Sequence, residues 1–308
     1  MAARPALDDD ETNPELGRSV ASTRSLFVRR YARDPLALLG LGLVTIALVL
    51  AIFGPMLEPQ NPLRIFVSGF TSYGAPVPPT WQWHHFFLGS DTVGQDELSQ
   101  LIAGARVSVT VGVLSTLMTA AIGTVVGIVS GLVGGLVDNL LMRFCDVMLA
   151  FPFILFVILL ETVMGHTSTL TVVLAIGFLG WAGTARLIRG ETLGLAQRDF
   201  VEAARAMGGT TPRLLFRHIL PNVLPTVLVY STSQISARVV LESALSFLGV
   251  GVPDPTPSWG KLLSLGLEDY QTSPLLTLWP GLMIALTSLG FNLVGDGLSS
   301  ALEGTRAR

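Results

Sequence analysis

The chain has 308 residues, half of them hydrophobic and only 13% charged, with a formal net charge of −3 and a mean hydropathy of +0.60. A soluble domain carries about a quarter charged residues, so the composition excludes an ordinary globular domain and reads as a polytopic membrane protein. The single cysteine, Cys145, excludes an intramolecular disulfide, and the single lysine, Lys261, is followed by Leu262, which excludes the G-x-x-x-x-G-K-[ST] loop of a P-loop ATPase.

Residues 1–34 read as a polar arm with an acidic run at Asp8-Asp9-Asp10-Glu11. Between Arg24 and Arg33, Leu26, Phe27 and Tyr31 interleave with Arg24, Arg29, Arg30 and Arg33, the pattern of a short amphipathic helix lying at a membrane surface. A first spanning helix is predicted over 35–57, long enough for about 30 Å of hydrocarbon at about 1.5 Å per residue. Residues 58–106 follow as a long loop on the far side, rich in proline and aromatics from Pro76 to Phe87. Five more apolar stretches lie within a core at 107–300, near 108–132, 147–165, 170–188, 223–249 and 276–296. The link between the second and third spans carries Asp138, Arg143 and Asp146, and 301–308 form a tail.

A polar interruption at 190–222 separates the fourth and fifth spans. Its centre, DFVEAARAMGGTTPRLLFRHILP from Asp199 to Pro221, reads as two short helices. Asp199 is predicted to cap the first, with Glu202 in the capping-box position. Ala203, Ala204 and Ala206 favour helix, and Gly208 or Gly209 permits the left-handed turn that ends it. Thr211 is predicted to cap the second helix, with Pro212 at its first position, and Pro221 to halt it after Ile219 and Leu220. Fifteen arginines fall on the side shared by both termini and this interruption. Arg64, Arg106 and Lys261 fall on the other side and Arg238 within a span. That bias puts the interruption in the cytoplasm.

Ionisable groups at bilayer depth are functional candidates by default. Arg238 and Glu242 stand at i and i+4 on the fifth span, so they share a face on which a pair can form. They either line a translocation path or form a structural ion pair between helices. Asn292 and Asp296 on the last span read as packing and end-capping groups. Arg213, Arg217 and His218 form a basic face suited to lipid headgroups or to an acidic partner surface. His84, His85 and His166 fall in loops, without helical metal-ligand spacing to one another, so no metal site is expected. No nucleophile–base constellation stands out, so no catalytic residue is expected, and nothing points to nucleic acid.

Glu202-Ala203-Ala204, Gly208 and Ile219-Leu220-Pro221 resemble the EAA loop of ATP-binding-cassette (ABC) importer permeases. Leu88, Gly89, Asp91, Gly94, Asp96, Leu98, Ser99, Gly104, Ala105 and Arg106 resemble the segment before the second long helix of C-type subunits in the dipeptide/oligopeptide/nickel branch. Gln95 and Gln100 stand there in place of the usual arginines. Residues 241–252, 255–260 and 291–302 resemble the same branch. Glu242 matches a glutamate of that branch, and Arg238 departs from its usual small or apolar residue.

The resemblance implies an all-α fold of six transmembrane helices, of the type I importer permease kind, with both termini cytoplasmic, in a bacterial inner membrane. It implies ATPase coupling through Glu202, Ala203, Ala204, Gly208, Ile219, Leu220 and Pro221. The implied partners are a paralogous permease in a heterodimer, two ATPase domains that hold ATP and magnesium, and an extracytoplasmic substrate-binding protein. No cofactor is expected on this chain. The implied cargo is a di- or oligopeptide, with nickel chelates, glutathione or haem as alternatives in the same class. A secondary transporter driven by an ion gradient is the alternative of a different class. It calls for acidic groups at mid-membrane, where this chain places Arg238.

Overall fold

The computed structural model describes residues 23–83, 86–164 and 168–306. The acidic run at 8–11 and His84, His85 and His166 lie outside the described residues. The protein is mostly helical (76%), with no strands among the described residues. Helices run in the order α1 (Thr23–Tyr31), α2 (Pro35–Leu57), α3 (Glu97–Val133), α4 (Gly135–Ala150), α5 (Phe153–Met164), α6 (Thr169–Ala196), α7 (Asp199–Ala206), α8 (Thr211–Leu214), α9 (Leu220–Phe247), α10 (Trp259–Glu268) and α11 (Leu275–Arg306). Five helical stretches are long and apolar enough to cross a membrane, or six if α4 and the start of α5 count as one broken span.

Local chemistry sets the helix starts. Asp34 caps α2 by accepting from the Leu36 and Ala37 amides at 3.0 and 3.3 Å, with Pro35 in the first turn where no donor is needed. Asp96 caps α3, accepting from the Ser99 amide at 2.9 Å and the Ser99 hydroxyl at 2.6 Å. From that cap α3 runs 37 residues and ends at Gly134, whose φ of +68° few other residues adopt.

In lipid, helices gain little from hydrophobic contact with one another, so association depends on close packing through small residues. Gly123, Gly127 and Gly131 on α3 form one such face. A Cβ added at each would stand 2.6 Å from Thr184 Cβ, 2.6 Å from Ala185 O and 2.8 Å from Thr192 Cβ, all on α6. Gly40 on α2 meets Leu293, and Gly290 on α11 meets Leu43, in the same manner. Helix α1 joins that second pair: Tyr31 packs on Gly297, donates to the Ala37 carbonyl at 3.4 Å and stacks on Phe27.

Besides the early start of α3 at Glu97, inside the stretch expected as loop to residue 106, and the helix α10 between the last two expected spans, two elements differ from the sequence expectation. The charged link between the second and third spans is helical: Asp138, Arg143 and Asp146 all lie on α4. Asp138 accepts from Arg189 Nε and Nη2 at 2.5 and 2.6 Å, and Asp146 pairs with Arg186, so ion pairs join α4 to α6. Helices α4 and α5 meet at 82°. Pro152, which lacks an amide hydrogen and restricts Phe151 before it, sits at the break.

The second difference is at Pro221, which does not halt a helix. Helix α8 passes through a π turn, Leu215–Ile219, directly into α9. The Leu220 amide bonds back five residues to the Leu215 carbonyl. Pro221 then falls in the first turn of α9, directly after the π turn.

Candidate functional site

The polar interruption folds onto the ends of three long helices. Val201 and Ala204 of α7 are buried with Ile128 of α3, Ile188 of α6, Leu214 of α8, Ile219, and Val223 and Val227 of α9. One face of α7 is therefore anchored and the opposite face is free: Glu202 and Ala203 are exposed. The helix starts one residue earlier than the capping pattern implied. Arg198 is extended at the N-cap, and its carbonyl accepts from the Val201 and Glu202 amides at 2.9 and 3.1 Å. Asp199 and Glu202 instead lie in the first turn, where the positive end of the helix favours carboxylates. Thr210, not Thr211, likewise takes the cap of α8.

Two adjacent glycines do different work in the turn. Gly208 is exposed with φ +81°, and a Cβ there would meet nothing within 4 Å, so its role within this chain is conformational. Gly209 is a packing glycine, since a Cβ there would stand 2.6 Å from the Ala204 carbonyl oxygen. Of the remaining motif residues, Ile219 is buried, Leu220 half-buried and Pro221 exposed. The turn leaves an open pit of about 350 Å³ lined by Ala204, Met207, Gly209, Arg213, Leu214, Arg217 and His218.

Arg238 and Glu242 do not pair; among the described residues no ion pair joins them. Four residues apart on α9, they turn to different neighbours. Arg238, 8% exposed, reaches α6, where it donates to the Ile176 carbonyl at 3.4 Å and fills the space over Gly180. Glu242 is 0% exposed and accepts from Ser246 Oγ at 2.7 Å. The hydroxyls of Ser108, Ser258 and Ser243 surround the same carboxylate. Both groups thus face the subunit interior.

The serines around Glu242 belong to a joint that sequence spacing does not reveal. Ser258 caps α10, Ser108 Oγ accepts from the Trp259 amide at 3.3 Å, and Trp259 Nε1 donates to the Leu101 carbonyl at 3.0 Å. Gly260 and Gly104 permit these contacts: a Cβ on either would press on Ser243 or on the Trp259 ring. The 241–252, 255–260 and 97–108 segments, far apart in the chain, converge here.

The glutamines that replace arginines in the long loop also have partners. Gln100 Nε2 donates to Asp91 Oδ2 at 2.5 Å and to Gln95 Oε1 at 2.8 Å, and Gln95 Nε2 donates to the Leu63 carbonyl at 3.2 Å. Burial pushes the Asp91 carboxyl above its ordinary value, and hydrogen bonds from Gln95, Gln100, Val93 and Gly94 act in the opposite direction. Asn292 and Asp296 are exposed on α11, which continues ten residues past Asp296, so Asp296 caps no helix end.

With this geometry in place, comparison with known proteins decides the family. Residues 123–307 match the family described as the binding-protein-dependent transport system inner membrane component. The chain belongs to that family. Residues 22–76 match the N-terminal transmembrane domain of oligopeptide transport permease C. The chain is 40% identical over 225 residues to the oligopeptide transport system permease protein OppC of Haemophilus influenzae, covering 73% of this chain and 72% of that protein. It is 39% identical over 277 residues to the glutathione transport system permease protein GsiD of Escherichia coli, covering 90% and 89%. A structure titled as inward-facing conformations of the MetNI methionine ABC transporter shares the fold, with a TM-score of 0.51 at 19% identity, over 68% of this chain and 96% of that one. The protein is an ABC importer permease of the oligopeptide/glutathione type, a multi-pass membrane protein, and the family is one of non-catalytic transport subunits. That assignment displaces the ion-gradient alternative.

Proposed function

We propose that this chain forms half of the path for di- or oligopeptides in a bacterial inner-membrane importer and couples that path to a separate ATPase through α7 and the turn after it. The observation that carries the reading is the two-sided character of α7. Val201 and Ala204 fix it to the ends of α3, α6 and α9, while Glu202, Ala203 and Gly208 remain open to a partner. A lever needs both properties. With the polar interruption in the cytoplasm, ATP binding draws two ATPase domains together and moves α7 with them. Because α7 shares one buried cluster with residues of three long helices, its displacement tilts them as a body and turns the path from inward- to outward-facing. A loaded extracytoplasmic binding protein and ATP both favour the outward state, so cargo delivery and hydrolysis become linked through one equilibrium.

The second half of the path comes from a paralogous permease in a heterodimer, and ATP with magnesium stays on the ATPase subunits. Peptide is favoured as cargo because a relative named for oligopeptide transport is 40% identical to this chain, and glutathione, for which a 39% identical relative is named, is the first alternative. The test is native mass spectrometry of the binding protein that co-purifies with the permease. Bound short peptides are expected. A bound nickel chelate, glutathione or haem overturns the cargo.

A further inference from the structure

We propose that the pit beside α7 receives an acidic side chain of the ATPase subunit, held between Arg213 and Arg217. This rests on the docking role proposed for the loop and adds a second contact of defined chemistry to it.

The pit lies where α7, the turn after it and the following helix meet. Its floor is apolar and fixed, since Ala204 and Leu214 are both buried and Gly209 closes tightly on the Ala204 carbonyl. One wall is cationic. Arg213 and Arg217 stand four residues apart across the start of the π turn and both line the pit, with His218 beside them. That wall is also held in place: His218 packs its ring against Phe200 of α7, and Asn222 Nδ2 donates to the His218 carbonyl at 2.6 Å. The π turn shifts the helical register by one residue, which brings Arg217 and His218 to the pit together.

Among the described residues neither Arg213 nor Arg217 has a carboxylate within ion-pair distance, although other arginines on the same end of the protein do: Arg186 and Arg189 are paired with Asp146 and Asp138. Both pit arginines are exposed, as is Met207 at the rim, at 82%. Two unpaired guanidinium groups converging on a preformed concavity of about 350 Å³ match a carboxylate, which one or both can grip through paired N–H donors. An apolar rim residue then shields the pair from water, the arrangement in which a charged contact contributes most to a protein interface.

The experiment purifies the whole importer through a tag on this chain and measures the ratio of ATPase to permease. The variants are Arg213→Glu/Arg217→Glu, the neutral Arg213→Gln/Arg217→Gln, and Gly208→Val as a separate disruption of the turn. The proposal expects at least a tenfold loss of ATPase in the charge-reversed pair, a smaller loss in the neutral pair, and recovery when an acidic residue on the ATPase docking surface is changed to lysine. Retention of the second permease subunit shows that each variant is folded. If the reversed pair keeps the wild-type ratio while Gly208→Val loses the ATPase, the pit is not the contact and the docking role stands. If all three variants keep the wild-type ratio, the docking role falls with it. If the reversed pair loses only its binding to phosphatidylglycerol vesicles, the arginines serve the membrane surface and the proposal is overturned.

Discussion

The indole N–H of Trp259 donates to the carbonyl of Leu101 at 3.0 Å, joining the first turn of α10 to α3 across 158 residues of sequence. Trp259 is fully buried, and its own amide donates to Ser108 Oγ about two turns further along α3. A single side chain thus closes the joint that also encloses Glu242. Replacing it with phenylalanine leaves the Leu101 carbonyl short of a donor, at a cost of about 1–2 kcal/mol. Replacing it with alanine adds a cavity and costs about 3–5 kcal/mol. Thermal unfolding in detergent should order the three proteins as wild type, Trp259→Phe, Trp259→Ala. Equal melting would show that the joint does not hold α10 in place.

The two glycines of the turn should separate by substitution. Gly208→Ala introduces no clash but places a Cβ at φ +81°, costing about 1–2 kcal/mol of backbone strain. Gly208→Asn should recover part of it, because asparagine tolerates the left-handed region. Gly209→Ala instead pushes against the Ala204 carbonyl and should displace α7 from its anchor. ATP-dependent uptake is therefore expected to fall in the order Gly208→Asn, Gly208→Ala, Gly209→Ala. The reverse order would mean that the turn conformation, not the anchoring of α7, limits coupling.

Arg189 and Asp138 tie α4 to α6 through two charge-assisted hydrogen bonds, with side chains 32% and 14% exposed. Asp138 also accepts from Ser130 of α3. Partial exposure limits the pair to about 1 kcal/mol of coupling. Asp138→Ala and Arg189→Ala should each destabilise the protein, and the double variant should be less damaged than the sum. A strictly additive double variant would show the pair to be passive.

Asp91 sets the sign of a pH effect in the long loop. Its carboxyl is raised in the folded protein, so the folded loop binds more protons than the unfolded one from the ordinary carboxylate value up to the raised one. Loop stability should therefore fall as pH rises through that window. Gln100→Arg brings a cation to Asp91 and should weaken or reverse the slope. Amide hydrogen exchange of residues 89–97 at several pH values measures it, and a flat wild-type profile would contradict the assignment.

Much of this architecture is legible in the sequence because lipid imposes it. Long apolar runs have to be helical. What hydropathy misses is polar helix that faces protein. The first turns of α3, from Glu97 to Arg106, look like loop by composition, yet Glu97, Ser99 and Gln100 are buried. The link carrying Asp138 and Asp146 is helical because α6 supplies Arg189 and Arg186 as partners, a pairing that only the fold creates. The motif at Glu202–Pro221 is visible as residues, but the π turn that carries the chain past Pro221 has no composition signal. Arg238 and Glu242 have the spacing of a pair and still part company, since Gly180 opens a place for the guanidinium on α6 and the serines gather round the carboxylate.

The most direct test is uptake in proteoliposomes holding this chain, a paralogous permease and the ATPase subunits, with the binding protein and a labelled peptide outside and ion gradients clamped at zero. The account predicts accumulation that requires ATP and is lost in Gly209→Ala while the subunits remain assembled. Accumulation that persists without ATP, or that is unchanged when the loop is altered, would contradict it.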